Sequence, residues 1–524
     1  MRILLALALL LGSVPRESFD SGLAALAQDK EADLLIRGAT IHDGSGKESF
    51  VGDLAINGDA IVAVGAWAGT AKETIDAKGL VAAPGFIDLH SHSDAPILAE
   101  ATRDNHNFTA QGCTTIVTGN CGGGNVDVAK MFETIDKHGA GTNVVHLIPH
   151  GAVRSRVFGS QRRPPTDDEL ARMRALVEKG MKEGAWGMST GLIYVPGTYA
   201  KTDEIVELAK VVHAHGGIYA SHIRSEAAKL LEAVAEAIEV GERSGCPVQI
   251  SHLKCSTKEA WGKTEEACAL IEAARAKGRK VTADQYPYTA SSTRLSAYTL
   301  PAWALEGGKV AVRLDDPEQG PRIRKEIAES FDRRDGPDKL VVASYAKNKA
   351  YNGKSIAEIA AGRDPVDVVV EIIKGGDAQS IGFSMREEDM LVGMKKDYVA
   401  TASDGGARKP SAERPHPRSY GTFPRKIGLY AIEKQAVTTA FAIRSSSGLP
   451  ADILGFKDRG YVKAGFKADL VLFDPGTFRD AATFDDPHRY ATGARWVFVN
   501  GVAVIADGKK QAALPGRALR LNKP

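Results

Sequence analysis

The chain lacks the charge imbalance typical of nucleic-acid-binding proteins. Its 524 residues hold 67 Lys and Arg against 65 Asp and Glu, a formal net charge of +2. The basic residues are dispersed, and the basic stretch at 154–163 is typical of a solvated loop rather than of a phosphate-binding surface. We therefore expect no nucleic-acid partner.

The chain is also poor in cysteine, with five residues and no CxxC pair. An odd number excludes a fully paired disulfide framework, although an exported chain could still pair two of them. We interpret Cys113, Cys246 and Cys268 as small buried hydrophobic residues. Cys121 differs, because it follows an apolar run and lies in the glycine-rich turn 119–124.

The apolar run at the N-terminus, residues 3–11, is too short to span a bilayer, which takes about 20 residues. Arg2 precedes this run, and the small-residue site at 25–27 follows it. This order predicts that residues 1–27 are an export signal, cleaved after Ala27. We expect an exported protein, periplasmic or secreted, without a stable membrane span in the mature chain.

Two histidines on one strand are the most informative feature that the sequence does contain. The apolar segment PGFIDLHSH at residues 84–92 ends in His90 and His92. Because side chains alternate between the two faces of a strand, both imidazoles point the same way and can bind one metal ion. For an isolated pair, a chance occurrence at a solvated strand end would be the better interpretation.

The pair is not isolated, because four further strand-like runs lead into residues suited to zinc binding or acid–base chemistry. These residues are Cys121 after residues 115–119, His222 after 218–221, His252 after 248–251, and Asp404 after 398–403. It is improbable that all four residues follow strand-like runs by chance.

Eight apolar runs alternate with helical patterns from residue 85 onward, which is typical of βαβ units. The runs are 85–90, 115–119, 144–149, 185–190, 218–222, 248–252, 281–286 and 398–403, and helical spacing marks 167–183, 203–215, 226–243 and 265–277. We predict an α/β fold, a TIM-like (β/α)8 barrel over residues 84–454. Reactive groups of such a barrel gather at the carboxyl ends of its strands.

The barrel is flanked by sequence of another character. Residues 32–83 and 455–515 alternate apolar and polar positions with glycine-containing turns, which predicts antiparallel strands forming one small β-sandwich domain from both chain ends. His252 and Asp404 lie 152 residues apart, more than two repeats need. We expect an insertion between strands seven and eight, within 291–380, that overhangs the mouth as a lid.

Taken together, these features resemble the amidohydrolase superfamily and, within it, the D-aminoacylase or N-acyl-D-amino-acid deacylase family, from about residue 32 onward. Seven motifs carry the resemblance: PGFIDLHSH at 84–92, GNCG at 119–122, STGLIY at 189–194, SHIR at 221–224, SHLK at 251–254, SDG at 403–405 and GFKADLV at 465–471. Hydantoinase-like relatives carry a carboxylated lysine on strand four, where this chain has Ser189 and Thr190.

The resemblance implies a set of site residues. A tightly held Zn²⁺ would be bound by Cys121, His222 and His252, a weaker second site would be lined by His90 and His92, and Asp404 would contact the metal region and act as general base and acid. Residues matching the family's contacts to a substrate α-carboxylate are Tyr194, Lys254, Tyr286 and Ser291.

The implied activity is zinc-dependent hydrolysis of N-acyl-D-amino acids to a carboxylate and a D-amino acid. The partner would be a small N-acyl amino acid or a related amide. One alternative is an amidohydrolase acting on another amide: a D-dipeptide, a cyclic amide or a xenobiotic amide with a carboxylate. An alternative of another class is a non-catalytic barrel scaffold.

Overall fold

The computed structural model describes residues 31–521. The expected export signal, residues 1–27, lies outside the described residues. Between residues 31 and 521, no helix is both long enough and apolar enough to cross a membrane.

The first five strands belong to a sheet beside the barrel. They are β1 (Glu31–Ile41), β2 (Phe50–Asn57), β3 (Ala60–Gly65), β4 (Thr70–Asp76) and β5 (Val81–Pro84). The expectation of purely antiparallel strands was wrong here, because β1 pairs parallel with both β4 and β5. The 11-residue length of β1 explains this, since β4 occupies its first half and β5 its last two residues.

The barrel strands are all parallel to their neighbours. They are β6 (Phe86–Asp88), β7 (Cys113–Thr118), β8 (Asn143–His146) continued by β9 (Ile148–Pro149), β10 (Gly187–Gly191), β11 (Ile218–His222), β12 (Val248–Ile250), β13 (Val281–Gln285) and, after the insertion, β17 (Val399–Thr401). A parallel bridge between Ser91 and Gly405 joins the last strand to the first. The predicted eight-stranded barrel is confirmed.

Seven helices accompany the first seven barrel strands: α1 (His106–Thr109), α2 (Val128–His138), α3 (His150–Phe158), α4 (Asp167–Lys182), α5 (Thr202–Ala214), α6 (Leu230–Ser244) and α7 (Thr264–Ala276). Helix α4 begins at a capping box in which Thr166 and Glu169 satisfy each other's backbone N–H groups. The periodicity predicts that helix α6 begins at residue 226, but it begins four residues later, at Leu230. The reason is that Glu226 turns inward toward His252 and Lys254.

The insertion forms a small unit with its own core. It contains three antiparallel strands, β14 (Ser291–Arg294), β15 (Leu340–Ser344) and β16 (Gln379–Gly382), and the helices α8 (Leu295–Thr299), α9 (Val310–Asp315), α10 (Gln319–Asp332), α11 (Ile356–Ala360) and α12 (Pro365–Lys374). Ile323, Leu340 and Val368 are among the residues of a buried cluster separate from that of the barrel. The insertion therefore has internal packing of its own.

The C-terminal region completes the barrel wall and then returns to the first sheet. Its elements are α13 (Glu387–Met394), α14 (Arg418–Pro424), a π-helix (Arg425–Glu433), α15 (Thr439–Ser446), α16 (Gly448–Leu454), β18 (Leu470–Phe473), β19 (Ala494–Val499), β20 (Val502–Ala506) and β21 (Lys509–Lys510). Strand β18 pairs antiparallel with β5. Both chain ends thus form one nine-stranded sheet beside the barrel.

Lys426 is an unusual buried cation in the π-helix. Its ammonium lies 5.8 Å from the centre of the Phe441 ring, and its hydrogen bond to the Met394 carbonyl is 3.4 Å long. Burial lowers the pKa of Lys426 to about 7, and no carboxylate among residues 31–521 counters this effect. The folded protein therefore holds Lys426 half-neutral near pH 7, whereas the unfolded chain keeps it charged up to much higher pH.

We predict that Lys426→Met raises the melting temperature at pH 7, because it removes a buried ammonium that costs free energy. Between pH 7 and pH 10 the unfolded chain binds more protons at Lys426 than the folded protein does. The free energy of unfolding of the parent therefore rises with pH relative to that of the variant, by about 1.4 kcal/mol per pH unit. Thermal melts of both proteins across this range check the prediction. A difference in melting temperature that does not narrow as pH rises would contradict it.

Candidate metal centre

Four side chains from four barrel strands converge at the carboxyl ends of those strands. The Cys121 Sγ lies 3.2 Å from His90 Nε2, 3.4 Å from His222 Nδ1 and 3.5 Å from His252 Nε2. Donor atoms of His90, Cys121 and His252 all lie within 4.8 Å of one another, as do those of two further groups, His90, His92 and Asp404, and His222, Glu226 and His252. His90 therefore belongs to two of these groups of potential metal ligands.

Backbone geometry turns three of these donors toward the barrel mouth. Cys121, His252 and Asp404 have φ angles of 52°, 35° and 50°, in the left-handed region that residues with a side chain rarely adopt. Each such residue costs about 1–3 kcal/mol and persists only where the surroundings enforce it. This conformation lets the chain reverse directly after a strand while its side chain stays inside.

The glycine-rich turn around Cys121 leaves no room for a side chain at Gly119. A Cβ on Gly119 would lie 1.9 Å from the Leu147 carbonyl oxygen. Ser189 fastens the turn, because its Oγ accepts a hydrogen bond from the Gly122 N–H at 3.0 Å and donates one to the Gly119 carbonyl. Ser189 on β10 thus holds the loop that carries Cys121.

Two buried carboxylates stand behind the histidines. Asp284 accepts a hydrogen bond from the His252 N–H at 2.8 Å, and the same oxygen lies 3.6 Å from His90 Nδ1. Asp88 accepts from the N–H groups of Ser403, at 2.9 Å, and of His90, at 3.1 Å. Burial raises the pKa of both carboxyl groups to about 7. Sequence analysis missed both residues, although Asp88 lies within the 84–92 motif.

The electrostatics of the cluster suit a metal ion. Burial lowers the pKa of His90, His222 and His252 well below the usual value, so these imidazoles are neutral, which is their metal-binding form. Burial, with the charge of Asp404, raises the pKa of the Cys121 thiol well above its usual value. A bound cation would reverse that effect and favour the thiolate.

The clustered side chains are therefore suited to binding a metal ion. His90 Nδ1 and His222 Nε2 are buried ring nitrogens without a hydrogen-bond partner in the described part of the chain. They face Asp284 and Glu226, whereas the other nitrogen of each ring faces Cys121, where a metal ion would lie. A thiol, imidazoles and a carboxylate form a donor set typical of zinc.

Asp404 is held between a cation and the histidine pair. Its Oδ2 lies 2.9 Å from Arg418 Nη1, and its Oδ1 lies 3.1 Å from His92 Nε2. Burial raises the pKa of Asp404, but the charge of Arg418 and the hydrogen bond from His92 lower it, and its pKa lies below the usual value. Asp404 is thus ionised at neutral pH. Sequence analysis assigned no specific role to Arg418, which lines the cavity.

A cavity of about 820 Å³ opens onto this cluster and is lined by both barrel and insertion. His92, Cys121 and Asp404 form part of its wall at the barrel mouth. The insertion contributes polar residues such as Thr293 and apolar ones such as Leu300. The insertion therefore overhangs the mouth, and it has both polar and apolar side chains with which to contact a ligand.

Of the four expected substrate contacts, the structure brings only Tyr194 to the cavity wall. The Tyr194 ring centre lies 4.9 Å from that of His222, and its hydroxyl accepts a hydrogen bond from Thr293 Oγ1 at 3.1 Å. This bond connects the barrel to the insertion directly beside the metal cluster.

The other three expected contacts are engaged elsewhere. The Lys254 ammonium lies 2.7 Å from His252 Nδ1 and is paired with Glu226. The Tyr286 ring lies under the Arg418 guanidinium, 4.6 Å from it, and the Ser291 hydroxyl is 2.8 Å from that of Tyr298. The expectation that these three contact a substrate carboxylate stays a prediction, and in this conformation each of them contacts a neighbouring side chain.

A sequence model of the amidohydrolase family matches residues 73–300 and 395–505. The chain belongs to the amidohydrolase family. The unmatched segment of this amidohydrolase, 301–394, falls almost entirely within the insertion.

Similar proteins agree over nearly the whole chain. The amidohydrolase is 35% identical to D-aminoacylase of Alcaligenes xylosoxydans xylosoxydans, over 93% of this chain and 97% of the relative. It matches a solved D-aminoacylase structure with a TM-score of 0.80 and 32% identity, over 93% of this chain and 100% of the other. That structure comes from work on one-metal activation and second-metal attenuation in the binuclear metal centre of that D-aminoacylase.

A second solved structure adds a ligand complex. N-acyl-D-glutamate deacylase from Bordetella bronchiseptica, complexed with zinc and a phosphonate inhibitor that mimics the tetrahedral intermediate, matches with a TM-score of 0.80 and 30% identity, over 94% of this chain and 100% of the other.

We predict that Cys121→Ala lowers the zinc affinity of the amidohydrolase by more than about 100-fold. Loss of a residue that only hydrogen-bonds to a metal ligand costs roughly 10- to 100-fold, and loss of a ligand should cost more. The reason is that Cys121 is the one sulfur donor among the clustered side chains. Zinc content after dialysis against a chelator of known affinity measures the change. Cys113→Ala, a buried cysteine on β7, serves as control and should retain its zinc. Equal zinc affinity in the two variants would remove Cys121 from the site.

Proposed function

We propose that this chain is a zinc-dependent amidohydrolase that cleaves N-acyl-D-amino acids to a carboxylate and a D-amino acid. One observation carries the proposal: Asp404, ionised and 3.1 Å from His92 Nε2, lies beside a cluster of metal-binding side chains that opens into the cavity. The likeness to D-aminoacylase and N-acyl-D-glutamate deacylase over nearly the whole chain supports the substrate class.

The residues divide the work of amide hydrolysis. Zinc supplies Lewis acidity, polarising an amide carbonyl and acidifying water. Asp404 then accepts the proton of the attacking water on Oδ1, the oxygen that faces His90 and His92. It delivers this proton to the departing nitrogen, so that the amine leaves neutral. Its low pKa keeps Asp404 in the basic form before each turnover.

Arg418 is a further receptor that the structure offers for a substrate carboxylate, although it already contacts Asp404 and the Ser292 carbonyl. It is a buried cation on the cavity wall, and His416 fixes its backbone by accepting the Arg418 N–H at 3.0 Å. The planar guanidinium matches a carboxylate in two parallel hydrogen bonds, and its contact with Asp404 at 2.9 Å places that carboxylate near the base. A free α-carboxylate next to the scissile amide, as in an N-acyl amino acid, satisfies this arrangement.

The preference for the D configuration is supported by the relatives rather than by the geometry. The same donors and the same arginine would serve another amide that carries a carboxylate. The scaffold alternative is disfavoured, because a non-catalytic barrel has no chemical need for the six clustered side chains His90, His92, Cys121, His222, His252 and Asp404.

We predict that the purified zinc-loaded protein hydrolyses N-acetyl-D-amino acids and leaves the matching N-acetyl-L-amino acids intact. Asp404→Asn should lower kcat by about 10²- to 10⁴-fold, because the amide side chain cannot take up the water proton. Release of free amine from paired D and L substrates, with zinc and after chelation, measures both effects. If the protein cleaves only other amides, N-acyl-D-amino acids are not its substrate class. If it binds zinc but hydrolyses none of the amides, the non-catalytic scaffold is favoured.

We also predict that Arg418→Gln raises KM for N-acyl-D-amino acids by roughly 10- to 100-fold, the value of one charge-assisted hydrogen bond. Removing this cation also raises the pKa of Asp404, so the acid limb of the pH–rate profile shifts to higher pH. Steady-state kinetics over a pH series measures both.

Arg425→Gln is the matched control for this variant. Arg425 lies 4.7 Å from the Tyr288 ring and 2.9 Å from an Asp480 oxygen, which are contacts like those of Arg418 with Tyr286 and Asp404. Its loss should leave KM and the acid limb unchanged. Equal effects of the two substitutions would show that Arg418 acts on stability alone.

A further inference from the structure

We propose that Glu226 is a positioning residue of the metal centre, which holds His252 in its metal-binding tautomer and neutralises Lys254 beside it. The inference rests on the metal dependence proposed above and goes beyond it, because it assigns a role to a carboxylate outside the ligand set that the sequence predicts, although its oxygen lies within 4.8 Å of donor atoms of His222 and His252. The Glu226 side chain is 10% exposed and follows His222 by four residues.

One oxygen of Glu226 faces three nitrogen groups. Oε1 lies 2.9 Å from His252 Nδ1, 2.5 Å from the Lys254 ammonium and 3.8 Å from His222 Nε2. Two of these groups belong to histidines of the metal cluster, and the third is a buried cation. Glu226 therefore contacts the centre from behind rather than from the cavity side.

The tautomer of His252 decides whether this histidine can bind a metal. Its Nε2 faces the cluster, 3.5 Å from Cys121 Sγ, so Nε2 must be unprotonated and Nδ1 must carry the hydrogen. Nδ1 has two polar neighbours, the Glu226 carboxylate and the Lys254 ammonium. An ammonium can only donate hydrogen bonds.

The two neighbours thus favour opposite tautomers. If Lys254 donated to Nδ1, the ring hydrogen would lie on Nε2 and block the metal. In this structure Lys254 lies in hydrogen-bonding position to Nδ1, at 2.7 Å. Glu226 Oε1 lies 2.9 Å from the same nitrogen and accepts a hydrogen bond from Lys254, so it can accept the ring hydrogen when Nε2 binds the metal, while Lys254 keeps its bond to the His252 carbonyl at 2.9 Å. A carboxylate that accepts the outer N–H of a ligand histidine is a recurrent means of fixing its orientation.

The charge of Glu226 matters as well as its hydrogen bond. An unpaired ammonium touching a ligand histidine would repel a divalent cation, since electrostatic interactions are strong in a buried site. Pairing with Glu226 cancels that charge. The pairing also explains why Lys254 is not free for a substrate carboxylate in this conformation.

The backbone holds Glu226 in this position. Its carbonyl accepts hydrogen bonds from the Ser256 N–H at 2.8 Å and from the Ser256 Oγ at 3.1 Å. The loop after β11 is thereby tied to the loop after β12, which carries His252 and Lys254. The late start of α6 leaves Glu226 in the non-helical segment that makes these contacts possible.

The test measures zinc affinity by chelator competition in the full-length protein, together with the absorption spectrum of the Co²⁺-substituted protein. We expect Glu226→Ala to weaken zinc binding by about 10- to 100-fold and to change the cobalt spectrum. Glu226→Gln should weaken it less, because an amide oxygen still accepts from Nδ1 but does not neutralise Lys254. Adding Lys254→Met to Glu226→Ala should recover part of the lost affinity.

Glu236→Gln is the matched control. Glu236 forms an ion pair with Arg224 at 2.8 Å on the same side of the barrel and contacts none of the clustered histidines. Its zinc affinity and cobalt spectrum should equal those of the parent. If Glu226→Ala does not fold, the zinc affinity and cobalt spectrum of Glu226→Gln decide the test.

Parental zinc affinity and an unchanged cobalt spectrum in both Glu226 variants would overturn the proposal, as would a further loss of affinity on adding Lys254→Met. Neither readout involves catalysis. A protein that cleaves no N-acyl-D-amino acid, but whose zinc affinity depends on Glu226, would refute the proposed function and leave this inference intact.

Discussion

The closure of the barrel between its first and last strands is the contact on which the site depends. Asp404 donates its backbone N–H to the His90 carbonyl at 2.8 Å, and His92 donates to the Gly405 carbonyl at 2.6 Å. These residues are more than 300 positions apart in the chain. Below them, Ser403 binds Asp88 through both its N–H and its hydroxyl, so the junction is fixed by side chains as well. The same backbone pairing therefore closes the fold and brings the base to the histidine pair, and a disturbance of one would disturb the other.

Much of this arrangement could be predicted from the sequence, because barrel strands are recognisable as apolar runs and a barrel places the residues after each run at one mouth. His90, Cys121, His222, His252 and Asp404 were identified in this way. Arg418, Asp284 and Glu226 were not, since each acts through a contact with a residue that is remote or on another strand, and no local pattern encodes such a contact. Lys254 shows the converse: its spacing from His252 correctly places it on the same side, but the ion pair with Glu226 that occupies it depends on how two loops pack.

The barrel and the insertion contribute differently to recognition. The barrel provides the clustered donors on short strands whose neighbours are fixed by hydrogen bonds, whereas the insertion provides part of the cavity wall from a unit with a separate core. The hydrogen bond between Tyr194 and Thr293 is one of several contacts between the two, another being that of the Tyr199 hydroxyl with the Ala302 carbonyl. Because the insertion packs internally, side chains on its inner surface can differ without altering the strands that hold the donors. The family model passes over most of this segment, in keeping with such independence.

The left-handed backbone at Cys121, His252 and Asp404 has an evolutionary consequence. Glycine adopts such angles without strain, so selection for folding alone would favour glycine at all three positions. At these three positions the site therefore keeps a thiol, an imidazole and a carboxylate where the backbone alone would favour glycine, so their strain is a cost that the fold carries for its donors.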